Sequence, residues 1–357
     1  MTTSSGEMSP RERVSRSIRG LKPDKLPIVV INSNTFMCQY YGVSVEDYVS
    51  TPAICADVNI RFIKEFGVDC DLVATGYILY GAGTELGVKW EFAGNNFPGN
   101  VEGPIKSETD LNDFKIPTEP AGYFKNYLET IEQITNAIGD THHLKASFLG
   151  PFSLGCFLRG IEQTLIDMVM NPSFFNTLMR LCREISVFLG KNLLLAGLRY
   201  PILNEIFLSP GFINPDSYHK SVAPYILDVQ RRVGPEVASN SFAFMGVPND
   251  VESQKIDSSL FVAFFGVGES LEDIKKGVFY RSPGFPYPAA ISGRALNNWD
   301  VDRILAFLKD ALDYLVGKEG IYPSISLSSV QAENKETANE IAHKIKAINK
   351  FRDAYEL

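Results

Sequence analysis

LPIVVIN, residues 26–32, is the stretch on which the fold turns. From Ile28 to Ile31 every side chain is apolar and mostly β-branched, with no polar alternation. A short run of that kind reads as a strand buried on both faces, as in a parallel sheet flanked by helices. Lys22-Pro23-Asp24-Lys25 is a turn that leads into it. Upstream, Ser9-Pro10-Arg11-Glu12 has a capping serine, a proline at the first helical position and an acid three residues after the cap. A helix should run from there through Arg19 and stop at Gly20, so residues 1–25 form an N-terminal helical extension.

Downstream, helices and apolar strands alternate. A helix over residues 44–66 precedes CDLVATG, and one over 123–138 precedes LKASFLG. Helices over 154–170 and 173–196 lead to PILNEIFL, and a helix over 215–233 leads to VASNSF. A short helical stretch near Asp250 precedes SLFVAFFG (259–266), and residues 270–276 are helical before PAAISG. An amphipathic helix over 299–316 precedes GIYPSISL, and a last helix covers 334–355. Eight apolar strands separated by helices predict an α/β fold, a (β/α)8 TIM barrel, as one domain over residues 1–357. No GxGxxG follows the first strand, which argues against a dinucleotide-binding sheet.

The composition limits the function classes. With 357 residues, 45% hydrophobic and 21% charged, the chain can bury a large core. A net charge of −8 argues against nucleic-acid and anionic-membrane partners. No apolar run is long enough to span a bilayer, and the N-terminus lacks the apolar region of a secretory signal. Five scattered cysteines without CxxC spacing read as reduced, buried thiols, and a cytoplasmic location is expected.

In a barrel, chemistry gathers at the C-terminal ends of the strands. Those ends supply amides, hydroxyls and rings with few charges, a lining suited to a small, flat, mostly apolar molecule held by a few directed hydrogen bonds. Glu205 is the clearest acid there; buried among rings, it could donate a proton near neutrality. Strand alternation could equally turn Glu205 away and face Asn204 inward. Tyr77 is a candidate hydroxyl donor, and Tyr80, Phe148, Phe207 and Phe242 are candidate ring contacts. Asn32 and Asn34, two apart, suit paired hydrogen bonds to a ligand or caps on the following loop, and Asn240 is a further amide. Arg294 is the one well-placed cation, for a carboxylate or phenolate or for a structural ion pair. None of the four histidines is placed for a catalytic triad or a zinc cage, and no metal ligands are expected.

The order of motifs resembles the uroporphyrinogen decarboxylase superfamily, which includes cobamide-dependent methyltransferases. SPRERVSRSIRGLKPDKLPIVV opens the match. FIKEFGVDCDLVATGYILYGAGTELGVKW, FLGPFSLGCFLRGIEQTLIDMVMNP and SPGFINPDSYHKSVAPYILDVQRRVG continue it. The resemblance implies the same (β/α)8 barrel. The thiol-methylating zinc members resembled here carry His-x-Cys where this chain has Ala243, Phe244 and Met245, and a late cysteine where it reads ISLSSVQAEN. The resemblance therefore argues against zinc and against a thiol acceptor. The decarboxylase members carry an arginine-rich segment after the first strand and an aspartate after the second. INSNTFMCQYYG and ATGYILYGAG stand there instead, so four acetates would find no cations.

The resemblance and the pocket's character together imply a corrinoid-dependent methyltransferase component. It would take a methyl group from a small donor, a methoxylated aromatic, and pass it to Co(I) of a cobalamin-type corrinoid on a partner protein. Glu205 or a tyrosine would assist the leaving oxygen. Two rivals stand beside it: a metal-independent decarboxylase or lyase acting on a small cyclic acid held by Arg294, and a barrel retained as a non-catalytic subunit. A homodimer is among the assemblies left open.

Overall fold

The computed structural model describes residues 7–31, 33–74, 85–91, 99–208, 213–234, 238–240, 271–272, 288–318, 321–328 and 330–357. Seven parallel strands make one sheet: β1 (Ile28–Ile31), β2 (Cys70–Leu72), β5 (His143–Leu149), β6 (Tyr200–Asn204), β7 (Ala238–Asn240), β8 (Pro288–Ser292) and β9 (Ser324–Ser328). Their order is β7-β6-β5-β2-β1-β9-β8, so the last strand pairs with the first, as barrel closure requires. The expected strand at 259–266, between β7 and β8 in sequence, lies outside the described residues. The fold is a (β/α)8 barrel.

The sheet has two apolar faces. Ile28, Val30, Leu144, Ala146, Phe148, Leu203, Ile291, Ile325 and Leu327 pack outward with the helices. Val29, Ile31, Cys70, Leu72 and Ile202 pack together on the other side, in the lumen. Val14 and Ile18 of α1 (Pro10–Ile18) join this inner group, so the N-terminal helix plugs the barrel floor. Its cap forms as the sequence requires: Ser9 Oγ accepts from the Glu12 amide at 3.2 Å.

A buried ionic clasp ties both ends of the chain to the floor. Asp69, just before β2, accepts from Nη1 of Arg13 in α1, from Arg352 Nη1 at 3.2 Å and from the Ile28 amide at 2.8 Å. Arg352 belongs to the last helix, α14 (Lys335–Ala354), and Arg13 also meets Asp24 at 2.7 Å. Burial raises the Asp69 carboxyl, while the two guanidiniums oppose that shift.

Some expected helices are divided, for local reasons. The helix expected over 44–66 is two: α3 (Val45–Ser50) and α4 (Pro52–Glu65). Pro52 takes the first position of α4, and a proline excludes the preceding residue, Thr51, from helical backbone. A helix missed in sequence, α2 (Asn34–Tyr41), follows β1 directly, and the long excursion after β2 contains an antiparallel pair, β3 (Lys89–Glu91) and β4 (Gly99–Glu102). Next come α5 (Glu108–Asp113) and α6 (Gly122–Ile138). After β5 come α7 (Pro151–Arg159), α8 (Ile161–Met170) and α9 (Pro172–Leu195), with Gly160 at φ 94° breaking the first two. The 215–233 helix also divides, into α10 (Pro215–Ser221) and α11 (Ala223–Val233). Short α12 (Gly293–Asn298) and α13 (Val301–Leu315) link β8 to β9. No helix among the described residues is long and apolar enough to cross a membrane.

Candidate active site at the barrel mouth

Strand alternation sorts the polar residues at the C-terminal ends. On β5 the outward set is Leu144, Ala146 and Phe148, which leaves Lys145 and Ser147 on the lumen side. On β6 Leu203 faces the helices and Ile202 the lumen, so Asn204 shares the lumen side. On β9 Ile325 and Leu327 are outward, leaving Ser324, Ser326 and Ser328 inward, with Ser324 and Ser326 hydroxyls 2.9 Å apart. Ser147, Asn204 and Ser328 are 0%, 2% and 2% exposed. Ser147 Oγ, Asn204 Oδ1 and Ser328 Oγ find no hydrogen-bond partner among the described residues. Buried polar atoms left open on three strands of one lumen mark a place where a ligand or water must complete the bonding.

Three rings cluster on the elements that follow the strand ends, an aromatic wall packed against the helix-side core. Trp90 of β3 lies 5.5 Å from Phe157 of α7, whose ring is 5.0 Å from half-buried Phe207, edge to face. All three stand on elements that leave the C-terminal ends of strands, so an expected ring, Phe207, is grouped with two that were not anticipated.

Glu205 is elsewhere than expected. It is 0% exposed, and its Oε1 and Oε2 accept from the Phe152 and Ser153 amides at 3.1 and 2.7 Å. Those amides open α7, so the carboxylate caps a helix N-terminus, where the helix dipole favours negative charge. Burial raises its pKa to about 7, against the opposing hydrogen bonds from Ser153 and Phe152. Gly150 allows the approach, since a Cβ there would lie 2.3 Å from Oε1. The expectation that Glu205 lines the pocket is corrected: the alternation that brings Asn204 inward carries Glu205 over the strand end toward α7. It holds Ser153, whose Oγ accepts from the Phe207 amide at 3.4 Å, and so steadies the aromatic wall.

Two more expectations change, and a third residue is located. Phe148 faces outward, its ring end against Gly190 of α9, because it alternates with Ser147. Asn34 is buried at the start of α2, where its Oδ1 accepts from Tyr48 Oη at 3.0 Å. Tyr48 in turn accepts from Asn59 Nδ2 at 2.9 Å, and Asn59 Oδ1 accepts from the Ala74 amide at 3.2 Å. This chain of bonds holds Ala74 at φ 52°, a left-handed conformation unusual for a residue with a side chain, at the end of β2. Asn34 is thus a structural link. Arg294 is exposed on α12, two residues beyond the end of β8. Asn240 ends β7, but its side chain lies outside the described set, as do Asn32, Tyr77, Tyr80 and Phe242.

Lys145 and Ser147 were missed in sequence. The available signal was the parity of LKASFLG, in which lysine and serine fall two apart between apolar residues. Lys145 is fully buried, and burial lowers its pKa to about 7, partly offset by Cys70 on β2. The described residues hold no group of three His, Cys, Asp or Glu that could bind a metal, and all five cysteines are buried free thiols.

Among solved structures, a methyltransferase from Methanosarcina mazei matches with a TM-score of 0.75 at 14% identity, covering 97% of this chain and 99% of that one. A B12-independent methionine synthase from Shewanella sp. W3-18-1, in complex with selenomethionine, matches with a TM-score of 0.48 at 10% identity over 92% of this chain and 98% of the other. At 14% identity the first likeness is one of fold. No curated protein matches the sequence. The family model for uroporphyrinogen decarboxylase (URO-D) matches residues 9–247, about two thirds of the chain. By that match the chain belongs to the uroporphyrinogen decarboxylase family.

Proposed function

We propose that the protein is the donor-side component of a corrinoid-dependent methyl-transfer system. It binds a methoxylated aromatic at the barrel mouth and gives up the methyl group to Co(I) of a corrinoid on a separate protein. The observation that carries this reading is the pairing of the Trp90–Phe157–Phe207 cluster with the open Ser147 and Ser328 hydroxyls and Asn204 amide of the lumen. Rings stack on a flat donor, and neutral polar groups orient an ether oxygen without binding it tightly in the ground state. Family membership and the fold shared with a methyltransferase support the same direction.

In the reaction the bond between ether oxygen and methyl carbon breaks, and the methyl group joins the cobalt of the partner's corrinoid. The electron pair of the broken bond stays on the oxygen, which needs a proton or a strong hydrogen bond to leave. Ser147 is the lumen hydroxyl assigned to that oxygen, and Asn204 Oδ1, an acceptor, takes the O–H of the phenol that forms. Glu205 is a positioning residue, acting through Ser153 and Phe207, and Tyr77 is retained as a second hydroxyl donor. The reading takes no zinc, since residues 243–245 read Ala-Phe-Met where the zinc-bearing members resembled carry His-x-Cys.

The test is an anaerobic assay with Co(I) cobalamin or a corrinoid protein, offered methoxylated aromatics alongside methylated amines, thiols and alcohols. Appearance of the methyl-Co(III) spectrum with an aryl methyl ether is the expected result. No methyl-cobalt with any donor, while a zinc-bearing relative works in parallel, would overturn the reading.

A further inference from the structure

We infer that the protein has a second ligand site at the N-terminal end of the barrel, a cleft that binds a small organic phosphate between Arg11 and Arg199.

The cleft lies where β5 and β6 begin, at the end of the barrel opposite the mouth. Its volume is about 300 Å³, and its walls include Arg11 of α1, Thr135 and Asn136 of α6, His142, and Arg199 and Tyr200 at the entry to β6. A Cβ added at Gly139 or Gly197 would lie 3.0 or 3.5 Å from Thr135 Cγ2, so these two glycines keep the space open. Barrel chemistry sits at the other end, on the loops that follow the strands. A ligand here is therefore not the methyl donor, and the site stands independently of the proposed function.

Charge decides what the cleft takes. Arg11 is fixed through its backbone amide, which donates to the Thr141 carbonyl at 2.9 Å, while its guanidinium has no hydrogen bond or ion pair among the described residues. Arg199 meets Asp140 at 3.3 Å, but Asp140 is 94% exposed, and a pair so open to water contributes little. Burial holds His142 and His143 below their ordinary pKa, and the charged groups that add to the shift are all cations. They are Lys64 and Arg13 for His142, and Lys145 and Arg11 for His143. The C-termini of α6 and α9 oppose this field with about half a negative charge each, less than the two guanidiniums supply. A chain of net charge −8 thus carries a positive hollow.

Two guanidiniums on separate elements match the double charge and three free oxygens of a phosphate monoester better than the single charge of a carboxylate. Thr135 Oγ1, buried and without a partner among the described residues, is a further donor. A phosphate group occupies roughly the volume of two or three waters, about 60–90 Å³. The remaining space calls for a small organic part, against which half-buried Tyr200 offers a ring.

The experiment is calorimetric titration of the intact protein, at fixed ionic strength, with glycerol phosphate, inorganic phosphate and malonate. Glycerol phosphate should bind saturably and about threefold or more tightly than inorganic phosphate. Arg11→Gln and Arg199→Gln should each weaken it about tenfold. Asn136→Asp, which sets a negative charge on the wall without removing an arginine, should do the same. Arg180→Gln, exposed on α9 outside the cleft, should keep the affinity within about twofold. If Arg11→Gln lacks a cooperative melt, Arg199→Gln and Asn136→Asp decide the question. No saturable binding of glycerol phosphate, an affinity unchanged in those two variants, or an equal loss in Arg180→Gln would each overturn the inference. Tighter binding of malonate than of glycerol phosphate would overturn the assignment to phosphate.

Discussion

Asp71 should be the site at which a neutral substitution stabilises the protein most, and only at higher pH. It sits at the middle of β2, fully buried, with Val30 and Leu144 as its register partners on either side. Neither carboxylate oxygen has a hydrogen-bond partner among the described residues; the Leu72 amide lends only weak electrostatic help. Burial pushes its pKa up to about 8. In the unfolded chain an aspartate titrates near pH 3.9, so between about pH 4 and 8 the folded state holds a proton that the unfolded state has released. Stability from this group therefore falls as pH rises through that window, by about 1.4 kcal/mol per unit. From pH 4 to 7 the sum is about 4 kcal/mol, an upper bound that local relaxation and water entry reduce to about 2–4 kcal/mol. Asp71→Asn removes the titration but keeps the shape. Its melting temperature should match the wild type at pH 4.5 and exceed it by about 3–5 °C at pH 7, using about 2 cal/mol/K of unfolding entropy per residue. Scanning calorimetry of both proteins across pH 4.5–8 is the assay. An Asp71→Asn protein that melts at or below the wild-type temperature at pH 7, or a difference that does not grow with pH, would refute the reasoning.

Three further outcomes follow from the same geometry. Asp69→Ala leaves the Arg13 and Arg352 guanidiniums buried without their shared partner and should cost about 3–5 kcal/mol in denaturant unfolding. Asn59→Ala frees the Ala74 amide and Tyr48 hydroxyl and should cost about 2 kcal/mol; unchanged stability would show that Ala74 keeps its left-handed backbone without this bond. Gly150→Ala places a methyl group 2.3 Å from Glu205 Oε1 although the backbone there, at φ −76°, accepts any residue. It should lower the melting temperature through displacement of the Glu205 cap, and Gly150→Ala combined with Glu205→Ala should recover part of the loss.

How far the sequence reaches differs between fold and site. The Ser9 cap, the apolar strands and the final helix were legible because caps and apolar periodicity are local. Thr51-Pro52 was legible as well, and reading 44–66 as one helix passed over a proline that ends helices for steric reasons. Site residues were harder. Asn34 and Glu205 looked like ligands because both are polar and sit at strand ends, yet each is fully occupied with holding other elements in place. Their partners, Tyr48 and the α7 amides, are 14 and more than 50 residues away, beyond any local pattern.

The sequence by itself determined the class of fold, the N-terminal helix, and the absence of His-x-Cys at 243–245, since each depends on residue type and spacing along the chain. Only the tertiary structure decided which residues line the lumen. Alternation along a strand has two phases, and a step of one residue exchanges inside for outside. Barrel closure, through β1 pairing with both β2 and β9, selects the phase. That selection turned Phe148 and Glu205 out and brought Lys145, Ser147 and Asn204 in.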